Sequence, residues 1–394
     1  MGVFIKQEQL PALKKYKYSA EDHSFISNNI LRPFWRQFVK IFPLWMAPNM
    51  VTLLGFFFVI VNFITMLIVD PTHDREPPRW VYLTYALGLF LYQTFDACDG
   101  SHARRTGQSG PLGELFDHCV DAMNTSLILT VVVSTTHMGY NMKLLIVQIA
   151  ALGNFYLSTW ETYHTGTLYL SGFSGPVEGI LILVALFVLT FFTGPNVYAL
   201  TVYEALPESI TSLLPASFLD VTITQIYIGF GVLGMVFNIY GACGNVIKYY
   251  NNKGKSALPA ILGIAPFGIF YVGVFAWAHV APLLLSKYAI VYLFAIGAAF
   301  AMQVGQMILA HLVLAPFPHW NVLLFFPFVG LAVHYIAPVF GWDADIVSVN
   351  TLFTCFGATL SIYAFFVLEI IDEITSYLDI WCLRIKYPQE KKTE

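Results

Sequence analysis

Apolar runs of membrane-spanning length recur along almost the whole chain, and they constrain its fold more than any other feature. A helix needs about 20 mostly apolar residues to cross the hydrocarbon core of a bilayer. Runs near that length occupy 50–69, 80–99, 113–136, 143–164, 177–194, 222–243, 257–279, 286–310, 317–337 and 347–375. Only 11% of the residues are charged, against about 25% in soluble proteins. The sequence therefore predicts an all-α polytopic membrane protein with about ten transmembrane helices.

The first 49 residues are more polar, with basic side chains among aromatic ones. This pattern predicts a cytosolic segment, 1–49, that contains an interfacial amphipathic helix. Cytoplasmic segments of membrane proteins carry an excess of Lys and Arg. With the N-terminus in the cytosol, cytosolic segments hold 16 of the 20 Lys and Arg residues. We therefore predict an even number of spans, both termini in the cytosol, and the loop from Gly100 to Gly113 on the cytosolic face. The small formal net charge of −4 gives no basis for a nucleic-acid partner.

Four aspartates lie close together in this apolar chain. Asp96 and Asp99 are three residues apart, whereas Asp117 and Asp121 are four apart, so each pair would share one face of a helix. Ionisable groups at membrane depth are costly and usually functional. Carboxylates combined with substrate phosphates suit Mg²⁺, and paired metal ions are typical of sites that transfer phosphoryl groups. The spacing predicts a site for two ions, Mg²⁺ or Mn²⁺, and a phosphate-bearing substrate.

The residues between the two aspartate pairs fit the same interpretation. Gly100 and Gly113 lack side chains that would obstruct a ligand. Arg104 and Arg105 carry planar guanidinium groups that match phosphate oxygens.

The complete pattern resembles the signature of the CDP-alcohol phosphotransferase family. It matches at every position: Asp96, Asp99, Gly100, Ala103, Arg104, Gly113, Asp117 and Asp121. Segments 43–49, 95–100, 111–121, 158–170 and 175–179 are similar to the fungal-type cholinephosphotransferase and ethanolaminephosphotransferase branch. The resemblance implies an enzyme of the endoplasmic reticulum (or Golgi) membrane. Such an enzyme would transfer phosphocholine or phosphoethanolamine from CDP-choline or CDP-ethanolamine to diacylglycerol, releasing CMP.

The resemblance also implies roles for residues around the aspartates. Gly100, Ala103, Arg104 and Gly113 would bind the nucleotide phosphates. Asn49 and Thr52 resemble the cytidine-side positions of the family, although Asn49 could equally be a helix N-cap.

The chain is expected to fall into four parts. After the 1–49 segment, 50–200 would hold the catalytic helices. Residues 201–380 would add transmembrane helices that form either a homodimer interface or a lipid cavity, and 381–394 would be a cytosolic tail.

The proposed reaction needs a base to take the proton from the acceptor hydroxyl. His118 is the favoured candidate because histidine changes charge near neutral pH, and the resemblance points to it as well. Its alternative role is to orient a metal ligand. Asp121 is the other candidate base, although a carboxylate bound to a metal ion is a poorer proton acceptor.

A second polar and aromatic group lies near the ends of the fourth and fifth predicted spans. Carboxylates and aromatic faces attract ammonium and quaternary ammonium groups. An interfacial aromatic belt with exposed acids is the alternative interpretation. The candidates for binding the headgroup are Trp160, Glu161, Tyr163, His164 and Glu178.

Two other functions stay open at this point. Transfer to another alcohol, such as inositol or glycerol phosphate, would need a basic pocket, and the predicted spans offer only Arg104 and Arg105. A transporter could also use intramembrane carboxylates, but it would not need the fixed glycine, alanine and arginine positions. The sequence does not separate choline from ethanolamine.

Overall fold

The computed structural model describes residues 2–22, 24, 26–73, 75–170 and 176–387, which are almost entirely helical. In chain order the α-helices are α1 (Arg32–Phe38), α2 (Pro48–Val69), α3 (Trp80–Thr106), α4 (Pro111–Thr135), α5 (Met142–Thr165), α6 (Pro176–Thr193), α7 (Val202–Ala205), α8 (Glu208–Thr211), α9 (Ala216–Leu219), α10 (Ile223–Asn252), α11 (Leu258–Ile261), α12 (Ala265–Val280), α13 (Leu283–Ser286), α14 (Ala289–Leu312), α15 (Phe326–Ile336) and α16 (Ala344–Leu378).

These helices confirm the expected all-α polytopic membrane fold. Among the described residues, eight helical segments are long and apolar enough to span a membrane. The two remaining predicted spans correspond to α3, which carries the charged residues of the signature, and α6, whose apolar part Val177–Thr193 is shorter. The short helices α7, α8 and α9 lie in the connection between α6 and α10.

The segment before α2 differs from the single amphipathic helix that the sequence predicts. It consists of a 3₁₀ segment (Gln7–Lys15), a π-helical turn (Ser27–Leu31), the short α1 and a second 3₁₀ turn (Val39–Ile41). Pro11 lies inside the first of these, where its missing N–H and fixed φ oppose a continuous α-helix.

One short parallel strand pair joins distant parts of the chain. Strand β1 (Ala20–Asp22) pairs with β2 (Leu168–Leu170), which follows α5, and Glu21 lies opposite Tyr169. Strands of three residues are too short to show the alternation that identifies a strand in a sequence. The pair ties the N-terminal segment to the end of α5.

Helix α14 lies at the centre of the fold and packs against α4, α5 and α16. Almost all of its side chains are buried, as expected of a helix that is apolar on every side. Its small residues allow close approach. A Cβ at Gly297 would lie 2.3 Å from the Ser126 hydroxyl of α4, and one at Gly305 would lie 2.7 Å from Phe366 of α16. Helix α4, which carries Asp117 and Asp121, therefore packs closely against α14.

Candidate active site

A short turn brings the two aspartate pairs to one place. Helix α3 is capped by Gly107, whose φ of +68° is a left-handed conformation that glycine adopts readily. The N–H of Gln108 donates to the carbonyl of Ala103 at 2.8 Å, which satisfies a carbonyl at the helix end. Helix α4 begins at Pro111, a residue suited to the first helical position. The chain thus reverses within Gly107–Gly110, and the last turns of α3 face the first turns of α4.

Three of the four signature aspartates converge. Asp96, Asp99 and Asp117 each offer one carboxylate oxygen, and these oxygens lie within 4.8 Å of one another. The Thr52 hydroxyl donates to Asp99 at 2.5 Å, and the Gln93 amide donates to Asp96 at 3.2 Å.

The chemistry of this carboxylate cluster fits a divalent cation. Oδ1 of Asp117 is buried and has no hydrogen-bond partner among the described residues. Buried polar atoms normally have a partner. Hard cations such as Mg²⁺ bind carboxylate oxygens. An unpartnered oxygen inside a group of three carboxylates is therefore a suitable cation ligand.

Asp121 is the one signature aspartate outside this group of three. It also lines the cavity, one turn further along α4. Its carboxylate accepts a hydrogen bond from the Tyr92 hydroxyl of α3, and it is not in the close group that the described residues form. Its assignment as a fourth ligand or as a base stays a prediction.

One ring nitrogen of His118 is engaged in a hydrogen bond to the backbone of its own helix. Its Nδ1 lies 3.0 Å from the carbonyl oxygen of Glu114 and 3.9 Å from a carboxylate oxygen of Asp117. Because a carbonyl can only accept, Nδ1 carries the proton of that bond and Nε2 keeps the lone pair of the neutral ring. The ring stacks on Phe155, with centroids 6.0 Å apart. The structure thus orients His118 and leaves Nε2 able to accept a proton.

The two signature glycines leave open space beside the aspartates. A Cβ at Gly113 would meet only the side-chain oxygen of Asn49, at 3.9 Å, and one at Gly100 would meet only Arg104, at 3.7 Å. Protein packing therefore does not require glycine at either position. The space that they leave belongs to the cavity, which Ala103 also lines.

Asn49 and Thr52 both lie at the start of α2, but their side chains make different contacts. The N-cap of α2 is Ala47, so the interpretation of Asn49 as an N-cap is wrong. The Asn49 amide instead donates to the Cys382 sulfur at 3.6 Å, and the residue lines the cavity. Thr52 is buried and holds Asp99.

One cavity of about 1040 Å³ extends from the aspartates into an apolar region between helices. We call that region the apolar limb. It is lined by Ile128, Leu129, Val132, Val147, Ala150, Ile180, Leu183, Tyr227 and Ile228, among others. Ile182 of α6 and Phe230 of α10 also line it, and they are 42% and 59% exposed. The limb therefore reaches the outer apolar surface between α6 and α10.

Comparison with known proteins agrees with this geometry. A family model described as CDP-alcohol phosphatidyltransferase matches residues 45–211, which hold α2 to α6 and every signature residue. The chain is 44% identical to cholinephosphotransferase 1 and 41% identical to choline/ethanolaminephosphotransferase 1, both of Saccharomyces cerevisiae. These alignments cover 99% and 98% of this chain and 100% and 99% of the relatives. The chain is also 38% identical to choline/ethanolaminephosphotransferase 1 of Arabidopsis thaliana, over 97% of this chain and 98% of that protein. The chain belongs to the CDP-alcohol phosphatidyltransferase family.

The side chains of Arg104 and Arg105 extend in different directions, one into the cavity and the other toward the N-terminal segment. Arg104 lines the cavity, where its guanidinium donates to the Ser101 hydroxyl at 3.0 Å. Arg105 donates to the carbonyls of Val39 and Phe42, at 3.0 and 2.9 Å. The prediction that both arginines face phosphate is wrong for Arg105. Successive residues on a helix are about 100° apart, so Arg105 is turned toward the N-terminal segment instead.

Residues of the N-terminal segment also line the transferase cavity, which the sequence interpretation missed. Arg32 and Arg36 of α1 reach it, and so do Tyr16 and Tyr18. The i, i+4 spacing of the two arginines places them on one helix face, but only the fold shows which cavity that face meets.

The five predicted headgroup residues do not line the cavity in the described part of the chain. Each of them has at least one hydrogen-bond partner elsewhere in the protein, whereas Nε2 of His164 and Oε2 of Glu178 are buried without a partner among the described residues. Trp160 donates to the Ala260 carbonyl, Tyr163 donates to the Ala315 carbonyl, Glu161 accepts from Asn245, His164 bonds the Tyr250 hydroxyl, and Glu178 accepts from Ser24. Their predicted role in binding the headgroup stays a prediction, and none of the five side chains lines the cavity that contains the aspartates.

Two parts of the sequence predictions lie outside the described residues. They are Gly175 of the similar segment 175–179, and 388–394 of the predicted tail.

Proposed function

We propose that this enzyme transfers phosphocholine, phosphoethanolamine or both from CDP-choline or CDP-ethanolamine to diacylglycerol. The products would be phosphatidylcholine or phosphatidylethanolamine and CMP. One observation carries the proposal: a single cavity joins a carboxylate cluster suited to a metal–phosphate complex with an apolar limb suited to lipid. The similarity of the full chain to proteins named for these activities supports the choice of substrates.

The polar end of the cavity is suited to the CDP-alcohol. Arg104 presents its guanidinium fork, which would pair with phosphate oxygens. Gly100 and Gly113 leave space for the pyrophosphate to approach the backbone. Asn49 would contact the cytidine side of the donor from the start of α2.

Asp96, Asp99 and Asp117 would hold Mg²⁺ or Mn²⁺, and Asp121 would complete a site for two ions. When bound, such ions neutralise charge that develops on the phosphates during transfer. Thr52 and Gln93 orient two of the carboxylates, as supporting residues around a metal site typically do.

His118 would take the proton from the acceptor hydroxyl through Nε2. The hydroxyl oxygen then forms a bond to the phosphorus that carries the headgroup, the bond from that phosphorus to the oxygen of CMP breaks, and CMP leaves. Asp121 is assigned as a metal ligand in this proposal, and a carboxylate bound to a metal ion is a poorer proton acceptor, which favours His118 as the base.

The apolar limb supports an uncharged lipid acceptor over inositol or glycerol phosphate. Its lining is mostly aliphatic, and it reaches the outer surface between α6 and α10. Diacylglycerol could therefore arrive from the bilayer while the CDP-alcohol arrives from water. A transporter is less well supported because α3 and α4 run unbroken through the aspartates, whereas secondary transporters typically bind ions at interrupted helices.

Contacts near the two ends of the described chain support an active site on the cytosolic face of the membrane, and the family resemblance supports the endoplasmic reticulum (or Golgi) as that membrane. The Phe4 N–H donates to Glu369 near the end of α16. Asn49, which lines the cavity, contacts Cys382 after α16. The described segments around Phe4 and Cys382 thus lie on the side of the aspartates, in agreement with the excess of Lys and Arg predicted for the cytosolic segments. A homodimer formed through 201–380 stays part of the proposal, although α10 within that range lines the cavity.

A comparison of acceptors tests this function. Purified protein with CDP-choline or CDP-ethanolamine should form phospholipid from diacylglycerol and none of the corresponding product from inositol or glycerol phosphate. Transfer to a water-soluble alcohol, with none to diacylglycerol, would contradict the proposed acceptor. Ion uptake into vesicles without CMP release would favour the transporter.

Arg104→Gln and Arg105→Gln should have different effects although the residues are adjacent. Arg104→Gln should raise the KM for the CDP-alcohol by about tenfold or more, because a charged hydrogen bond to phosphate is lost. Arg105→Gln should lower the melting temperature with little effect on that KM, since it removes two bonds to the N-terminal segment. Steady-state kinetics and thermal unfolding in detergent measure the two effects, and equal rises in KM would contradict the assignment.

Thr52→Val should raise the Mg²⁺ concentration for half-maximal activity by about tenfold, because Asp99 loses the hydroxyl that orients it. Valine has nearly the same shape as threonine. Thr65→Val on the same helix is the matched control, since the Thr65 hydroxyl donates to the Val61 carbonyl of its own helix and to no carboxylate among the described residues. A metal titration that is the same for both variants would contradict the role of Thr52.

A further inference from the structure

The N-terminal segment 3–22, which we call the N-terminal strap, begins on the last transmembrane helix. The Phe4 N–H donates to the Glu369 carboxylate at 2.8 Å, and the Phe4 ring meets Phe366 edge-on at 5.0 Å. Further along, the Lys14 ammonium lies 5.0 Å from the centre of the Tyr377 ring. These contacts join residues more than 350 positions apart, and they fix the first half of the strap to α16.

The strap is part of the folded core. Ile5, Leu10 and Leu13 are 1%, 8% and 2% exposed and belong to the same buried cluster as Leu112 and Leu115 of α4. Side chains buried to this degree are held by many apolar contacts. The strap is therefore packed into the protein interior, and the bond from Tyr16 to Glu114 places it beside the start of the helix that carries Asp117 and His118.

The other end of the strap is fixed across the cavity. The Leu168 N–H donates to the Ser19 carbonyl at 3.0 Å, and β1 pairs with β2. Between the two fixed ends, Tyr16 and Tyr18 line the cavity. The strap thus runs from α16, past the first turn of α4, to the end of α5.

Tyr16 makes the one side-chain bond that the described residues show between the strap and the first turn of α4. Its hydroxyl donates to the carboxylate of Glu114. The backbone carbonyl of the same Glu114 accepts the Nδ1 proton of His118. Burial, and then the Glu114 carboxylate, raise the pKa of the Tyr16 phenol well above its ordinary value. The hydroxyl therefore remains protonated and able to donate.

We infer that Tyr16 is a positioning residue for the transfer reaction: through Glu114, it holds the turn of α4 that sets the direction of the His118 ring. The inference rests on the proposed function of His118 as the base. It adds that the N-terminal strap, outside the matched family region 45–211, is needed for a competent active site.

Tyr16→Phe is the decisive variant because it removes one hydroxyl and keeps the ring. We expect kcat to fall about tenfold, since small misplacements of a reacting group are costly, with little change in the KM for the CDP-alcohol. Glu114→Leu, which removes the carboxylate that accepts this hydroxyl, should lower kcat similarly, and the double variant should be no worse than either single variant because both remove the same interaction. Tyr335→Phe, at an exposed residue of α15, is the matched control and should behave as wild type.

Hydrogen exchange on the full-length protein gives a second measurement that does not depend on turnover. Amides of 113–119 should exchange faster in Tyr16→Phe than in wild type, while those of 3–13 stay protected. Wild-type kcat together with wild-type exchange at 113–119 would overturn the inference. Full additivity of the Tyr16 and Glu114 variants would also overturn it. A wild-type protein that releases no CMP from either donor would instead refute the proposed function, and the exchange data would still report whether Tyr16 holds α4.

Discussion

Asp117→Asn is expected to abolish CMP release, with a fall in kcat of about 10³-fold or more. The change replaces one carboxylate oxygen of the converged group by an amide nitrogen and removes one negative charge. Metal ions at such sites supply several kcal/mol of charge stabilisation, and each 1.36 kcal/mol is about tenfold in rate. Asparagine has the shape of aspartate, so the fold of α4 should survive. CMP release at saturating CDP-alcohol and diacylglycerol measures the effect.

The control for this variant is Asp343→Asn. Asp343 caps α16 by accepting the Ile346 N–H, and asparagine caps helices about as well as aspartate. This variant should therefore keep both activity and stability. Activity above about a tenth of wild type in a monodisperse Asp117→Asn protein would contradict the assignment of Asp117 as a metal ligand.

His118→Gln is expected to lower kcat by about 10²- to 10⁴-fold, the usual contribution of a general base. The KM for the CDP-alcohol should change little, because the imidazole would act on the acceptor hydroxyl and not on the nucleotide. The Mg²⁺ concentration for half-maximal activity should also stay near that of wild type. Together these results would separate the base from the metal ligands.

Two comparisons make the His118 prediction specific. His279→Gln, at an exposed position near the end of α12, should leave activity unchanged. Asp121→Asn distinguishes the rival base: if it lowers kcat without altering the metal requirement, while His118→Gln remains active, Asp121 is the base and our assignment fails. A matched loss in kcat and metal affinity for Asp121→Asn would support its role as a ligand.

The parts of the structure that follow from local pattern could be predicted from the sequence. Long apolar runs have few alternatives to membrane helices, and the helical spacing of Asp96 and Asp99 places both on one face. Gly107 and Pro111 delimit a short turn between the helices, so convergence with Asp117 follows. The cluster of three carboxylates is the result.

Features that depend on distant contacts could not be predicted in the same way. The bond from Phe4 to Glu369 joins residues 365 positions apart, and no periodicity in the N-terminal segment indicates it. Arg105 shares every chemical property with Arg104, and only its rotation around α3 directs it to Val39 and Phe42.

The orientation of the predicted headgroup residues could not be predicted from the sequence either. Trp160 and Glu161 have the chemistry that attracts an ammonium group, but their position on α5 turns them toward Ala260 and Asn245. The next polar residues that reach the cavity from that helix, Ser158 and Thr159, carry no charge. Sequence spacing alone does not say which face of α5 meets the cavity, because α5 is buried on more than one side.

The most direct test of the whole account is CMP release by the purified full-length protein in lipid–detergent micelles containing diacylglycerol. CDP-choline and CDP-ethanolamine should be compared, each with Mg²⁺ and with a chelator. The account predicts CMP release with at least one donor, its loss on chelation and its recovery when Mg²⁺ or Mn²⁺ is restored. Release that persists through chelation would contradict the metal role of the aspartate cluster, and no release with either donor would contradict the proposed reaction.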